Sequence, residues 1–252
     1  MKLSTKLLWI LFALVVSFIG SLAIIKQWQS QNVSIILENR ERETARGTDK
    51  IIELMRKSLY TYSYDYTIWD DMVQFVVSGD PTWAKENIEE SLPTYNAQAA
   101  WVFRPDFTLT YFVTTLSDKT IQDRLLTEGA QQALFAKSPF CHFFIAINDE
   151  VMEICGATIH TTSDTDRKMP QQGYFFVGRL WDKAYLDELS AALDCSAMVV
   201  PKDKLESVPA GTSRKGGTLT FHRPLNAWDG NPLAFLLIRS FSPLVEHFIS
   251  QS

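Results

Sequence analysis

The stretch YTYSYDYTIWDDMVQFVVSGDPTWAKENI, residues 60–88, divides the chain into a helical front and a sheet-forming back. Within it Asp65, Trp69, Met72 and Val76 recur at three- and four-residue steps, which predicts one helical face. Gly79-Asp80-Pro81 should end that helix, and Pro81 should open a second short helix running to about Glu90. Asp65, Asp70 and Asp71 form an acidic group around Trp69. Paired carboxylates suit acid–base chemistry or a hard cation. Aspartate also favours helix starts, so capping and solvent exposure explain the same residues.

Upstream of this stretch, Lys26 to Tyr62 contains no proline and one glycine. Val33, Leu37, Thr44, Thr48, Ile52, Met55 and Leu59 make a helical stripe with a polar middle. Two readings stay open: a stalk that pairs with a second copy, or a helix packed on its own domain. Further upstream, LLWILFALVVSFIGSLAII (Leu7–Ile25) carries no charge. At 1.5 Å per residue such a run nearly spans a hydrocarbon core of about 30 Å. Ser21-Leu22-Ala23 is a passable leader-peptidase site, but the apolar run continues past it, which favours an uncleaved anchor with its short amino-terminal tail inside. Ala13, Ser17 and Ser21 at four-residue spacing would let two such helices approach closely.

Downstream, Ala99–Phe103 and Thr108–Thr115 bracket the turn Arg104-Pro105-Asp106. Ile121–Ala136 has a helical pattern. Phe140–Ile147 and Val151–Ile159 flank Asn148-Asp149-Glu150, a second hairpin. Tyr174–Trp181 is a strand and Lys183–Leu193 an amphipathic helix; strands follow at Ser196–Val200, Thr218–His222 and Pro232–Ile238. Helices first, then an antiparallel sheet interrupted by helices, is an α+β order. The expected division is a cytoplasmic tail (1–6), a transmembrane helix (7–25), a helical stalk (26–59), an extracytoplasmic domain (60–240) and a tail (241–252).

Composition narrows the partners. Setting aside Lys2, Lys6 and Lys26 beside the anchor leaves 21 basic residues against 29 acidic ones. That excess of negative charge argues against nucleic acid. Motifs for serine hydrolases, zinc proteases, phosphate-binding loops, dinucleotide folds and calcium loops are absent. The histidines His142, His160, His222 and His247 are scattered. Cys141 and Cys155 flank the second hairpin and form a candidate disulfide; two reduced, buried thiols are the alternative. A metal shared with His142 and His160 would need side chains to converge against strand alternation, and neither a metal nor a cofactor is expected.

The stretch that opens this section also carries a resemblance. Asp65, then Trp69-Asp70-Asp71, then Phe75, followed by a turn, Trp83 and Asn87, resembles the signature of the fourth class of CHASE domains. Gly173-Tyr-Phe-Phe-Val-Gly178-Arg179 followed by Leu186–Leu193, and the ending Pro232-Leu-Ala-Phe-Leu-Leu-Ile-Arg239, are similar to that family's later blocks in the right order. The resemblance implies a PAS- or Cache-like fold: a long helix leading into a central antiparallel sheet flanked by helices. It implies an extracytoplasmic sensor of the kind attached to histidine kinases and diguanylate cyclases.

On this reading the protein is not an enzyme. It is a single-pass inner-membrane sensor with its main domain in the periplasm. A small-molecule ligand of unknown identity, a homodimer formed through the stalk, and a partner histidine kinase or diguanylate cyclase are expected. Asp65, Trp69, Asp70, Asp71, Tyr174 and Arg179 are the candidate ligand or signature residues. Arg179 either clamps an anion or ties Asp70 or Asp71 to the sheet, the latter being favoured. After Arg239 the remaining residues are too few to span a membrane again, and no output motif follows, so the output step is left to a partner. The competing readings are an envelope scaffold acting through the stalk and a metal-dependent hydrolase built on the aspartates.

Overall fold

One unbroken helix, α1 (Leu3–Asp65), carries the front of the chain. At 1.5 Å per residue its length is roughly 95 Å. The computed structural model describes residues 3–117, 119–125, 130–207, 213–215 and 218–241. Among the described residues no helix is long and apolar enough to cross a membrane. The expected anchor Leu7–Ile25 falls partly outside them, because the side chains of Leu7, Leu8, Ile10, Ala13 and Leu22–Ile25 are not described. The expected tail 241–252 lies outside them apart from Phe241.

The carboxyl-terminal part of α1 is built into the rest of the protein. Thr48 and Leu59 are buried, and Ile52 and Met55 are half-buried. This half of the stripe therefore packs on its own domain; Val33 and Leu37 lie outside the described side chains. The helix does not continue through Trp69 as the spacing predicts. It stops at Asp65 and a new helix, α2 (Asp70–Ser78), begins after a turn. Gly79 adopts a left-handed conformation (φ 62°) and returns its N–H to the Phe75 carbonyl, which closes α2. The Asp80 carboxylate then accepts the Thr82 N–H and starts α3 (Pro81–Ala84), which runs into a wider turn at Lys85–Glu89.

Two antiparallel sheets follow where the sequence suggested one. The first is five-stranded, in the order β2 (Leu109–Thr114), β1 (Ala99–Phe103), β5 (Gly173–Leu180), β4 (Glu150–Ile159) and β3 (Phe140–Ile147). Strands β1 and β5 are buried along their whole length, as central strands covered on both faces must be. One face packs on Leu59 and Tyr62 of α1 and Met72, Phe75 and Val76 of α2. The other is covered by Phe107 from the turn between β1 and β2 and by the segment between β2 and β3, including Ile121, Leu125 and Phe135. Only part of the predicted Ile121–Ala136 helix is seen: a 3-10 turn at Lys119–Arg124 and one turn, α4 (Ala130–Ala133), with residues 126–129 outside the described set.

The chain then leaves the first sheet. Asp182 accepts the Tyr185 N–H and caps α5 (Lys183–Leu193). This helix carries the remaining strands into a second sheet, ordered β6 (Ser196–Pro201), β9 (Pro232–Phe241), β8 (Thr218–Asn226) and β7 (Ser213–Lys215). Strand β8 runs past the expected end at His222: its pairing with β9 continues through Pro224 and Leu225 to Asn226, beyond the short strand β7. A third core joins the units: Trp181, Tyr185, Leu189, Leu225, Leu236 and Ile238 meet Ala45, Ile51, Ile52 and Met55 of α1. From its amino-terminal side, α1 thus meets the second sheet first and the five-stranded sheet after it.

The β3–β4 hairpin overturns the candidate disulfide. Its two-residue turn, with Asn148 at φ 52°, pairs Cys141 with Gly156 and His142 with Cys155. Adjacent residues on a strand face opposite ways, so Cys141 and Cys155 lie on opposite faces of the sheet. All three cysteines are free thiols.

Candidate functional site

The predicted residues divide among three places. The first is the joint formed by the aspartate-tryptophan stretch. Between α1 and α2 the backbone is extended, with Trp69 at the cap position (φ −154°, ψ 123°). This short run pairs in parallel with the end of β4 through Ile68 and His160. The His160 N–H donates to the Thr67 carbonyl at 2.8 Å, and the Trp69 N–H donates to the His160 carbonyl at 3.2 Å. Asp70 accepts the Thr162 N–H at 2.9 Å, and hydrogen bonding from the Thr162 side chain and backbone holds its carboxyl below the usual carboxylate range. Trp69 is half-buried against Tyr66 and Trp83. Asp65 and Asp71 are exposed. Among the described residues no cluster of His, Cys, Asp or Glu is arranged to hold a metal.

The loop that receives this joint is strongly tied. Asp164 accepts the Lys168 and Met169 N–H groups and contacts His160 Nδ1 at 2.7 Å. His160 Nε2 lies 2.9 Å from the Thr158 hydroxyl. Burial pushes the His160 pKa down, outweighing the pull of Asp164. Burial alone would raise Asp164, but the two backbone N–H donors and His160 bring it below its ordinary value. Arg167, in a left-handed conformation (φ 52°), lays its guanidinium over Phe140 and Tyr64 and donates to the Thr67 hydroxyl and the Thr158 carbonyl. Hydroxyl, imidazole and carboxylate stand in series, but all three are buried under the loop and hold it.

Tyr174 occupies the second place, on the far face of the five-stranded sheet. Its ring is stacked between Phe107 (4.1 Å) and Phe135 (4.9 Å), and its hydroxyl accepts from Gln171. This face is filled with aromatic and aliphatic side chains, and the Trp101 indole N–H buried there has no hydrogen-bond partner among the described residues.

Arg179 defines the third place. It is 1% exposed and does not approach Asp70 or Asp71. Its Nε donates to the Asn96 carbonyl, Nη1 to the Met55 carbonyl, and Nη2 to the Ser58 hydroxyl and the Tyr95 carbonyl, over 2.5–3.0 Å. The expected structural role is thus filled by backbone carbonyls, with Met55 and Ser58 bolting α1 to β5. Beside it Glu153 is 1% exposed and 3.9 Å from Arg179 Nη1. It accepts from Trp181 Nε1 at 3.2 Å and lies 2.9 Å from His142 Nε2. A carboxylate facing an indole N–H and a guanidinium is an acceptor, which assigns the Nε2 proton to His142. Burial raises the neighbouring Tyr185 hydroxyl to about 12.

This network forms the floor of a cleft of about 290 Å³ between α1, the β3–β4 hairpin and the second sheet. Across its mouth Arg223 of β8 grips the Asp49 carboxylate of α1 through Nε (2.6 Å) and Nη2 (3.1 Å). Sequence reasoning missed Glu153, Arg56 and Arg223, and weighed His142 only as a metal ligand. Glu153 had a signal: a lone charge inside the apolar run Val151–Ile159 demands a buried partner. The others sit on elements that meet only in the fold.

No curated protein sequence matches. The periplasmic domain of LuxQ from Vibrio cholerae has a similar fold, with a TM-score of 0.53 at 9% identity over 80% of this chain and 98% of that one. The ligand-binding domain of the Pseudomonas aeruginosa PAO1 amino-acid chemoreceptor PctC, solved with GABA, aligns with a TM-score of 0.46 at 12% identity over 80% and 99%. The extracellular domain of a histidine kinase, vpHK1S-Z8, gives 0.47 at 11% over 83% and 96%. The sequence profile of the CHASE4 domain matches residues 51–197. That span runs from the part of α1 that carries Arg179's partners, through the joint and the whole five-stranded sheet, to the first residues of β6, and the chain belongs to the CHASE4 family of extracellular and periplasmic sensory domains.

Proposed function

We propose that the chain is a non-catalytic, ligand-binding sensor held in the inner membrane by Leu7–Ile25, with residues 60–240 outside the cytoplasm. The observation that carries this reading is α1. Its front is uncharged over 19 residues and its back is bolted into both sheets, so a change in the domain reaches the membrane through one continuous element. A ligand that binds one arrangement of the sheets better than another shifts the position of α1, and a ligand with equal affinity for both transmits nothing. The receiver is a histidine kinase or diguanylate cyclase. Leu54 of α1 is 59% exposed, and the stacked rings of Tyr60 and Tyr64, which rest on Phe140, remain 42% exposed each. These exposed side chains suit a second copy of the helix, and the reading therefore includes a homodimer.

Membrane extraction at alkaline pH tests the anchor: the full chain should stay in the pellet, and protease added to spheroplasts should degrade the domain. Release into the supernatant sinks the anchored reading. A thermal-shift screen of the full chain with amino acids, organic acids and metal ions tests the sensor, since a ligand selective for the folded state raises the melting point. No response to any class sinks that part.

A further inference from the structure

The cleft between the two sheets contains a cation that has no hydrogen bond or ion pair among the described residues. Arg179 has four hydrogen-bond partners and Arg223 has Asp49. Arg56 of α1 lines the same cleft, is half-buried, and makes no hydrogen bond or ion pair among the described residues. Glu53, one turn earlier, also lines the cleft and does not pair with it. A half-buried guanidinium without a partner is poorly compensated for its lost hydration. Its planar fork matches a carboxylate better than any other common anion except phosphate.

The remaining walls select the ligand's body. Phe144 and Trp181 meet edge to face at 5.2 Å, and Ile52, Leu225 and Leu236 complete an apolar slot. The Glu153 carboxylate beneath is already engaged by Trp181, His142 and Arg179, so it offers no free site for a ligand cation. A volume of about 290 Å³ suits a small molecule. Phosphate alone would leave the apolar slot unfilled.

We infer that this cleft binds a small organic carboxylate with an apolar or aromatic body, its carboxylate on Arg56 and its body against Trp181 and Phe144. The inference rests on the sensor reading above and assigns it a site that none of the signature residues occupy. A bound carboxylate would draw Arg56 of α1 toward walls contributed by both sheets, at the level where Arg223 already clasps Asp49. It would thereby tighten the helix against the second sheet.

The test is calorimetric titration of the full chain in nanodiscs with benzoate, phenylacetate and hexanoate, and with benzamide as the neutral counterpart of benzoate. At least one carboxylate should bind, and benzamide should bind roughly tenfold more weakly or not at all. Arg56→Gln should lose binding by about tenfold or more while keeping the wild-type melting point. Arg56→Lys should lie between, and Arg104→Gln on the exposed β1–β2 turn should bind as wild type. Equal binding by wild type and Arg56→Gln, or no binding of any of the three acids at millimolar concentration, overturns the inference. No binding of the three acids, together with a melting-point rise with amino acids or metal ions that persists in Arg56→Gln, would keep the sensor reading and sink only this site.

Discussion

Replacing Arg179 with methionine tests the bolt between α1 and the five-stranded sheet. Methionine keeps most of the stem and its packing but removes the charge and every donor. The loss exposes two groups of partners. The carbonyls of Met55, Tyr95 and Asn96 and the Ser58 hydroxyl lose the donor at 2.5–3.0 Å. Glu153, 1% exposed, loses its buried cation. Removing one partner of a buried pair costs about 3–5 kcal/mol, because the other charge is left uncompensated. Water entering from the cleft would offset some of the carbonyl loss, so the terms do not add in full. At 2–4 °C per kcal/mol for a domain of this size, the melting point should fall by roughly 6–20 °C.

The assay is urea unfolding followed by circular dichroism, with hydrogen exchange on the α1 amides around Ser58. Those amides should lose protection before the core of the five-stranded sheet does, since β1 and β5 remain paired along their length. A second step separates the two causes. Adding Glu153→Gln to Arg179→Met removes the orphaned charge and should recover about 1–2 kcal/mol, although Glu153→Gln alone destabilises. A loss below about 1 kcal/mol for Arg179→Met, or strictly additive effects in the double variant, would refute the account of Arg179 as the charged bolt of this interface.

Three further outcomes are expected. His160 has its pKa lowered by burial, so the unfolded chain takes up its proton first; stability should fall as pH drops below about 6.5 toward the folded value, and His160→Gln should flatten urea midpoints compared between pH 7.5 and 5.5. Native protein should show no Cys141–Cys155 linkage by non-reducing peptide mapping, and Cys155, with its thiol pushed well above the ordinary value by burial, should alkylate far more slowly than in urea. A Cβ on Gly173 would stand 2.5 Å from the Phe103 carbonyl oxygen, a backbone atom, so Gly173→Ala should cost about 1–3 kcal/mol by urea unfolding where Gly47→Ala, in open space on α1, should not destabilise.

What could be read from the sequence was local. Strand β1, the β3–β4 hairpin, β5 and α5 follow from alternation, turn residues and capping, and the structure has them within one or two residues of the predicted ends. The helix break at Asp65 was hidden because helical spacing continues through Trp69 to Val76. The break depends on pairing between Ile68 and His160, 92 residues apart in the chain, which no local pattern encodes. The cysteine pairing failed on one residue of register, since the two-residue turn places Gly156, not Cys155, opposite Cys141. Arg179 was singled out as structural but given the wrong partners. Backbone carbonyls leave no mark on the side-chain pattern, so its real partners at Met55, Tyr95 and Asn96 could only come from the fold.

The three fastenings of α1 differ in strength, and the difference fixes where a signal can enter. The joint after Asp65 is held by backbone pairing to β4 and by the buried loop around His160 and Asp164. The Arg179 bolt is buried and multiply bonded. The third fastening, Arg223 on Asp49, is a bidentate pair whose members are 31% and 55% exposed, a class worth about 0–1 kcal/mol. The five-stranded sheet and the end of α1 therefore move as one piece, while the second sheet is tied to the helix on this side by packing and one weak clasp. A ligand with only a few kcal/mol of differential affinity cannot break the bolt, but it can decide whether the clasp is closed. The cleft lies between the clasp and the bolt, so on the proposed sensor reading the signature residues belong to the rigid half of the domain, and the half that responds sits nearer the amino-terminal end of α1.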